Sequence, residues 1–175
     1  MTFLIILAAI ALFLFWVSKR PGDFTIERQI EIKAPAATIF PWVSNLKNMN
    51  QWNPWAGQDA KSAIAYEGPE AGPGAIYTWS GGKMGKGRFQ ILDMKAPGEV
   101  NCRLQMIRPM AADNKVKYIL TESGGNTTVS WAMSGTSSFV VKLMHLVFSP
   151  ERMVGKEFER GLASLKQLVE QQKLK

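Results

Sequence analysis

Few side chains in this chain stand at spacings that support acid–base or metal chemistry. His145 is its one histidine and Cys102 its one cysteine, which excludes a two-histidine metal site and an internal disulfide framework. His145 is a weak catalytic candidate, a lone general acid or base. Flanked by Met144 and Leu146, it reads more simply as a packed or surface residue. Cys102 sits in an alternating segment and reads as a small buried side chain. Glu67, Asp93 and Glu122 fall in or at the ends of strand-like segments. Glu67 and Glu122 fit a solvated outer face. Asp93 shares parity with Phe89 and Ile91, yet a strand-end exit to solvent is the expectation. The stretch SGGKMGKG, 80–87, approaches a phosphate loop, but Ser80 takes the first glycine position and Gly87 the Ser/Thr position. It is expected to be a flexible hairpin turn. The cations Lys83, Lys86 and Arg88 beside it read as solvated charge, with contact to acidic head groups as the alternative. No G-x-S-x-G is present. Neither a metal site nor a cofactor is expected.

What does recur is large apolar surface, with nine methionines and six tryptophans in 175 residues. Val129, Trp131 and Met133 alternate, so they share one face of a strand. Tyr77 with Trp79, and Leu104 with Met106, do the same. Trp52 and Trp55 stand in a loop expected to act as a lid, and Phe139, Met144 and Phe148 precede the last helix. Methionine adapts its shape and tryptophan is large with one polar handle, so the set suits either a plain core or a pocket for apolar ligands.

The elements that must position these residues are legible. Ser149 to about Gln172 predicts an amphipathic helix, with Ser149 as N-cap, Pro150 at the first position and Glu151 complementing the dipole. Val154, Phe158, Leu162, Leu165 and Val169 form its apolar stripe. Gly155 and Gly161 lie inside it, each costing up to about 1 kcal/mol relative to Ala. Something must therefore come close there, either a sheet or a ligand. Phe24 to Lys33 alternates as a strand, which Arg28 interrupts in a way that suggests a bulge. Ala36–Ser44 reads as a short helix despite Pro41, and Leu46–Trp52 as a second helix or turn. Strands follow at 61–67, 75–80, 87–95, 99–108, 115–122 and 127–135, separated by Gly, Pro and Asn turns, among them a turn at Asp113-Asn114. Six such strands with short links predict an antiparallel meander, and the opening strand makes seven.

Thr2 to Val17 carries no charge. A helix of that length spans about 24 Å, a little short of a hydrocarbon core of about 30 Å. Trp16 suits the interface, and Lys19 and Arg20 can extend the span by snorkelling. With no basic residue before the apolar run and SKRPGD after it, an uncleaved single-pass anchor over residues 1–20 is favoured over a cleaved signal. The positive charges that follow place the soluble domain in the cytoplasm. In the opposite orientation Asn126-Thr127-Thr128 would be a glycosylation sequon. The net charge of +7 permits anionic partners, but the basic residues are dispersed and no nucleic-acid signature is present, so no nucleic-acid partner is expected.

A strand, two short helices, six strands and a long helix is an order that resembles the helix-grip fold of the START-like (SRPBCC) superfamily. The resemblance is to its polyketide cyclase/dehydrase and lipid-transport branch. It is carried by IKAPAATIFPWV after the opening strand, WNPW at 52–55, YEGPEAGPGAIYTWSG at 66–81 and VGKEFERGLASLK at 154–166. It implies an α+β domain over residues 24–172, with a curved sheet gripping the long helix around an apolar cavity. Its ligand would be small and hydrophobic, and the expected lining is Trp52, Trp55, Tyr77, Trp79, Leu104, Met106, Trp131 and Met133. Phe139, Phe158 and Leu162 complete that set. The alternatives are a cyclase/dehydratase-like enzyme using His145 or a cavity carboxylate, and a regulatory or chaperone-like module whose groove receives a protein partner.

Overall fold

A computed structural model describes residues 2–56, 62–82, 84–144, 146 and 149–172. Helix α1 (Thr2–Lys19) precedes strand β1 (Asp23–Ile32), short helices α2 (Ala36–Ser44) and α3 (Leu46–Trp52), and six more strands. These are β2 (Ala63–Glu67), β3 (Ile76–Ser80), β4 (Lys86–Lys95), β5 (Glu99–Arg108), β6 (Ala112–Ser123) and β7 (Asn126–Thr136). Helices α4 (Phe139–Met144) and α5 (Pro150–Gln172) end the chain's described elements. The seven strands form one antiparallel sheet in the order β1-β7-β6-β5-β4-β3-β2. The helix-grip fold expected from the sequence is the one observed.

The core lies between the sheet and α5. Phe158, Leu162, Leu165 and Val169 are buried along one stripe of that helix, which faces β1 and the two short helices. Asn45 caps α3, its Oδ1 accepting from the backbone N–H groups of Lys47 at 2.9 Å and Asn48 at 3.2 Å. Glu122 does more than meet solvent: its Oε2 accepts from the Ala36 N–H at 2.8 Å, satisfying a free donor at the start of α2.

Two expectations need correction. Arg28 marks no bulge, since β1 pairs with β7 in unbroken register from Asp23↔Thr136 to Ile32↔Thr127. It shares the parity of Ile26 and Ile30 and reaches α5, where its Nε donates to Glu159 at 2.6 Å and its Nη2 to Glu151 at 2.7 Å. An arginine can stand on the helix-facing side of the strand because two carboxylates meet it there. The register shifts fall instead in β4, at Lys86/Gly87 and Ile91/Asp93. Nor do Asp113 and Asn114 form a turn. Both belong to β6, opposite Gln105 and Leu104, because Arg103 on β5 holds the Asp113 carboxylate and Asn114 is buried. The turn lies earlier, around Pro109–Ala111.

Helix α1 is long and apolar enough to cross a membrane. Its side chains are largely exposed, with Val17 the buried exception. The Lys142 ammonium on α4 donates to the carbonyls of Arg20 at 2.6 Å and Ser18 at 3.4 Å, covering the helix's C-terminal end with a cation.

Candidate functional site: an apolar cavity between sheet and helix

Alternation along the strands sends every second side chain toward α5, and these walls do not meet. They leave a cavity of about 490 Å³, within the range of about 300–1,000 Å³ that suits a single small ligand. Tyr77 and Trp79 on β3, Leu104 and Met106 on β5, and Trp131 and Met133 on β7 line it. Trp55, after α3, and Phe158, on α5, close it from the other side.

Three expected lining residues lie elsewhere. Trp52 ends α3 and is 2% exposed. Its Nε1 donates to the Trp42 carbonyl at 2.9 Å, so it is core beneath the cavity and no part of a lid. Leu162 is buried one turn beyond Phe158. Phe139 lies on α4 and is 40% exposed. His145, Phe148 and Lys83 fall outside the described residues.

The sequence reading missed Met49, Asn50 and Asn53, which come from α3 and the turn after it, and Asn114, Val116 and Tyr118 on β6. The last three have a signal in the sequence, since Asn114, Val116, Tyr118 and Leu120 share one parity. Assigning Asn114 to a turn concealed it.

Trp131 is the centre of the aromatic wall. Its ring stacks on Phe158 with centroids 3.9 Å apart, and Trp52, Trp55 and Tyr118 pack around it at 5.3, 5.9 and 5.6 Å. The Trp131 indole N–H is buried without a hydrogen-bond partner among the described residues. By contrast the Trp79 N–H donates to the Met84 carbonyl at 3.3 Å. Gly87 stands directly opposite Trp79, and a Cβ there would come within 2.1 Å of the indole. The missing side chain is what lets Trp79 lie flat across the neighbouring strand.

The two glycines of α5 are explained by protein contacts. A Cβ at Gly161 would lie 2.9 Å from both Pro54 and Trp131, and one at Gly155 would lie 2.3 Å from the Arg28 guanidinium.

Among the described lining residues, the ionisable side chains are the phenols of Tyr77 and Tyr118. Burial pushes the Tyr118 hydroxyl well above its usual value, and the Cys102 thiol beneath adds to this. Burial raises Tyr77 too, with Tyr66 contributing. Among the described residues the partner of the Tyr118 hydroxyl is the Met49 sulfur, at 3.9 Å. The Cys102 thiol, also raised by burial, stays protonated and unreactive. Asp93 and Glu67 are exposed, and Asp93 accepts from the Asn101 amide at 2.7 Å. Among the described residues no group of acidic, histidine or cysteine side chains is arranged to hold a metal ion.

Residues 23–170 match the protein-family model described as polyketide cyclase / dehydrase and lipid transport. None of the curated proteins compared matches the chain. Several solved structures share the fold. Protein CV1439 from Chromobacterium violaceum aligns with a TM-score of 0.60 at 15% identity, over 83% of this chain and 96% of its own. The Aha1 dimer from Colwellia psychrerythraea gives 0.59 at 15% identity, over 83% and 96%. Protein MLL2253 from Mesorhizobium loti gives 0.63 at 12% identity, over 85% and 98%.

Proposed function

The chain belongs to the polyketide cyclase/dehydrase and lipid transport family, and from that premise we propose that it is a membrane-anchored domain taking a small, lipid-like hydrophobic ligand into the cavity under α5. The observation that carries this reading is the cavity itself, about 490 Å³ walled by aromatic and methionine side chains. A ligand that leaves water for such walls gains about 25 cal/mol for each Å² of apolar surface buried. Helix α1 supports the anchoring, being long and apolar enough to span and largely exposed on the domain. Lys19 and Arg20 follow the apolar run, which under the positive-inside rule supports a cytoplasmic position for the domain. A ligand that partitions into lipid would then be concentrated beside the cavity.

Binding is favoured over catalysis because the described lining supplies no carboxylate or imidazole, and its two phenols are held neutral by burial. Acid–base turnover calls for a group that exchanges its proton near the working pH.

Titration of the full-length chain in detergent with a dibrominated long-chain alcohol tests the reading, since Trp55, Trp79 and Trp131 ring the cavity. Saturable quenching at one equivalent, lost in Leu104→Trp, is the expected result. Quenching that never saturates, or that Leu104→Trp leaves intact, overturns it. The anchor is tested separately: alkaline carbonate should leave the full chain in the membrane fraction and release a chain beginning at Asp23.

A further inference from the structure

Resting on that reading of the cavity, we propose that its ligand is bound as an uncharged molecule, a hydrocarbon skeleton bearing at most hydroxyl, carbonyl or ester groups. Ionised carboxylates, phosphates, sulfonates and ammonium groups are rejected.

None of the described residues lining the cavity carries a charge. Its polar side-chain groups include the amides of Asn50, Asn53 and Asn114, the phenols of Tyr77 and Tyr118 and, without a partner among the described residues, the indole N–H of Trp131. Each can meet a neutral oxygen, and none can neutralise an ion.

Among the described residues, several nearby cations are turned away from the cavity or already paired. Arg88 and Lys115 alternate with the lining residues Phe89, Asn114 and Val116, so they stand on the opposite face of the sheet. Lys117 is paired with Glu99 at 2.9 Å. Arg28 is engaged by Glu151 and Glu159, and Arg160 by Glu157 and the Pro54 carbonyl. An anion entering the cavity would lose its hydration and meet no counter-charge among the described lining residues, and burying an unpaired charge is strongly disfavoured. A hydroxyl or carbonyl can exchange its water for an amide or phenol at little net cost.

Two fluorescent probes of one ring skeleton decide the matter. N-phenyl-1-naphthylamine is neutral; 8-anilino-1-naphthalenesulfonate adds a permanently ionised sulfonate. Both are measured against the full-length chain in zwitterionic lipid nanodiscs, with protein-free nanodiscs as reference. The neutral probe should give saturable enhancement that Met106→Trp abolishes by filling the cavity. The sulfonate should displace it at least about 100-fold more weakly than unlabelled neutral competitor, the scale expected for burying one unpaired charge. Comparable displacement by the sulfonate, or a preference for it, overturns the neutral-ligand proposal and leaves the binding cavity standing. Absence of saturable enhancement by either probe, or enhancement that both Met106→Trp and Leu104→Trp leave unchanged, overturns the cavity reading and this proposal with it. The two-probe comparison needs no variant, so it holds even where a substitution impairs folding.

Discussion

The indole of Trp131 and the ring of Phe158 lie parallel within 9°, their centroids 3.9 Å apart. One ring comes from the last strand and the other from the long helix, so this stack joins the two layers at the cavity wall. Phe158 is 1% exposed and Trp131 5%. Removing either ring therefore deletes both packing and a wall of the site.

Phe158→Ala is expected to cost about 3–5 kcal/mol of stability, the usual loss for a large aromatic in a core that cannot collapse around the space. Denaturant unfolding of the variant measures it. A loss below about 1 kcal/mol would mean the two layers are held together elsewhere.

Gly161→Ala should destabilise even though alanine favours helix by up to about 1 kcal/mol. The added methyl would meet the Pro54 ring and the Trp131 indole at 2.9 Å, and neither is a flexible chain end. Overpacking of this kind costs about 1–3 kcal/mol. Gly155→Ala meets the movable end of Arg28 instead and should cost less. Thermal unfolding of the two variants side by side checks the ordering.

Gly87→Ala acts on the site directly. Its methyl would fall 2.1 Å from the Trp79 ring, so Trp79 must leave its place over β4. The expected outcome is a shifted tryptophan emission and weakened ligand binding, with the fold retained. Unchanged emission and binding would show that Trp79 has another place to lie.

The alkaline limb of stability should report on Tyr118. Burial holds its phenol above the ordinary value of 10.0 in the folded chain, so the folded state keeps a proton that the unfolded state gives up first. That contribution is present below about pH 10 and is lost as the pH rises toward the folded value. Tyr118→Phe removes the ionisation, and its stability should fall less steeply above pH 10 than that of the parent. At pH 7 the variant should differ by about 1 kcal/mol or less, because the hydroxyl's partner among the described residues is a weak sulfur acceptor. Parallel unfolding curves at pH 7 and pH 11 give both numbers.

The parts of this fold that follow from local chemistry could be read before any coordinates. Alternation placed Trp131, Met133, Tyr77 and Trp79 on the cavity face, and helical spacing placed Phe158 beside them. Ala36–Ser44 was readable as a helix in spite of Pro41, whose ring is exposed on its outer side. What escaped were features fixed by distant partners. Arg28 looks like a break in a strand until Glu151 and Glu159, more than a hundred residues later, are seen to receive it. Asp113 and Asn114 have turn-forming side chains, and the cross-strand grip of Arg103 overrides that preference. The glycines of α5 announced a close approach, but only the packed structure identifies the approaching groups as Pro54, Trp131 and Arg28. Trp52 had the composition of a lid residue, and its bond to the Trp42 carbonyl makes it part of the core.

Native mass spectrometry of the full-length protein, purified from a lipid-containing host and released from detergent in the instrument, tests the central claim most directly. The account predicts one retained species per chain, of defined mass and neutral on organic extraction, and absent from Met106→Trp. A chain that emerges empty and takes up none of a panel of neutral lipophiles would contradict it, and the aromatic walls around Trp131 would then be packing alone.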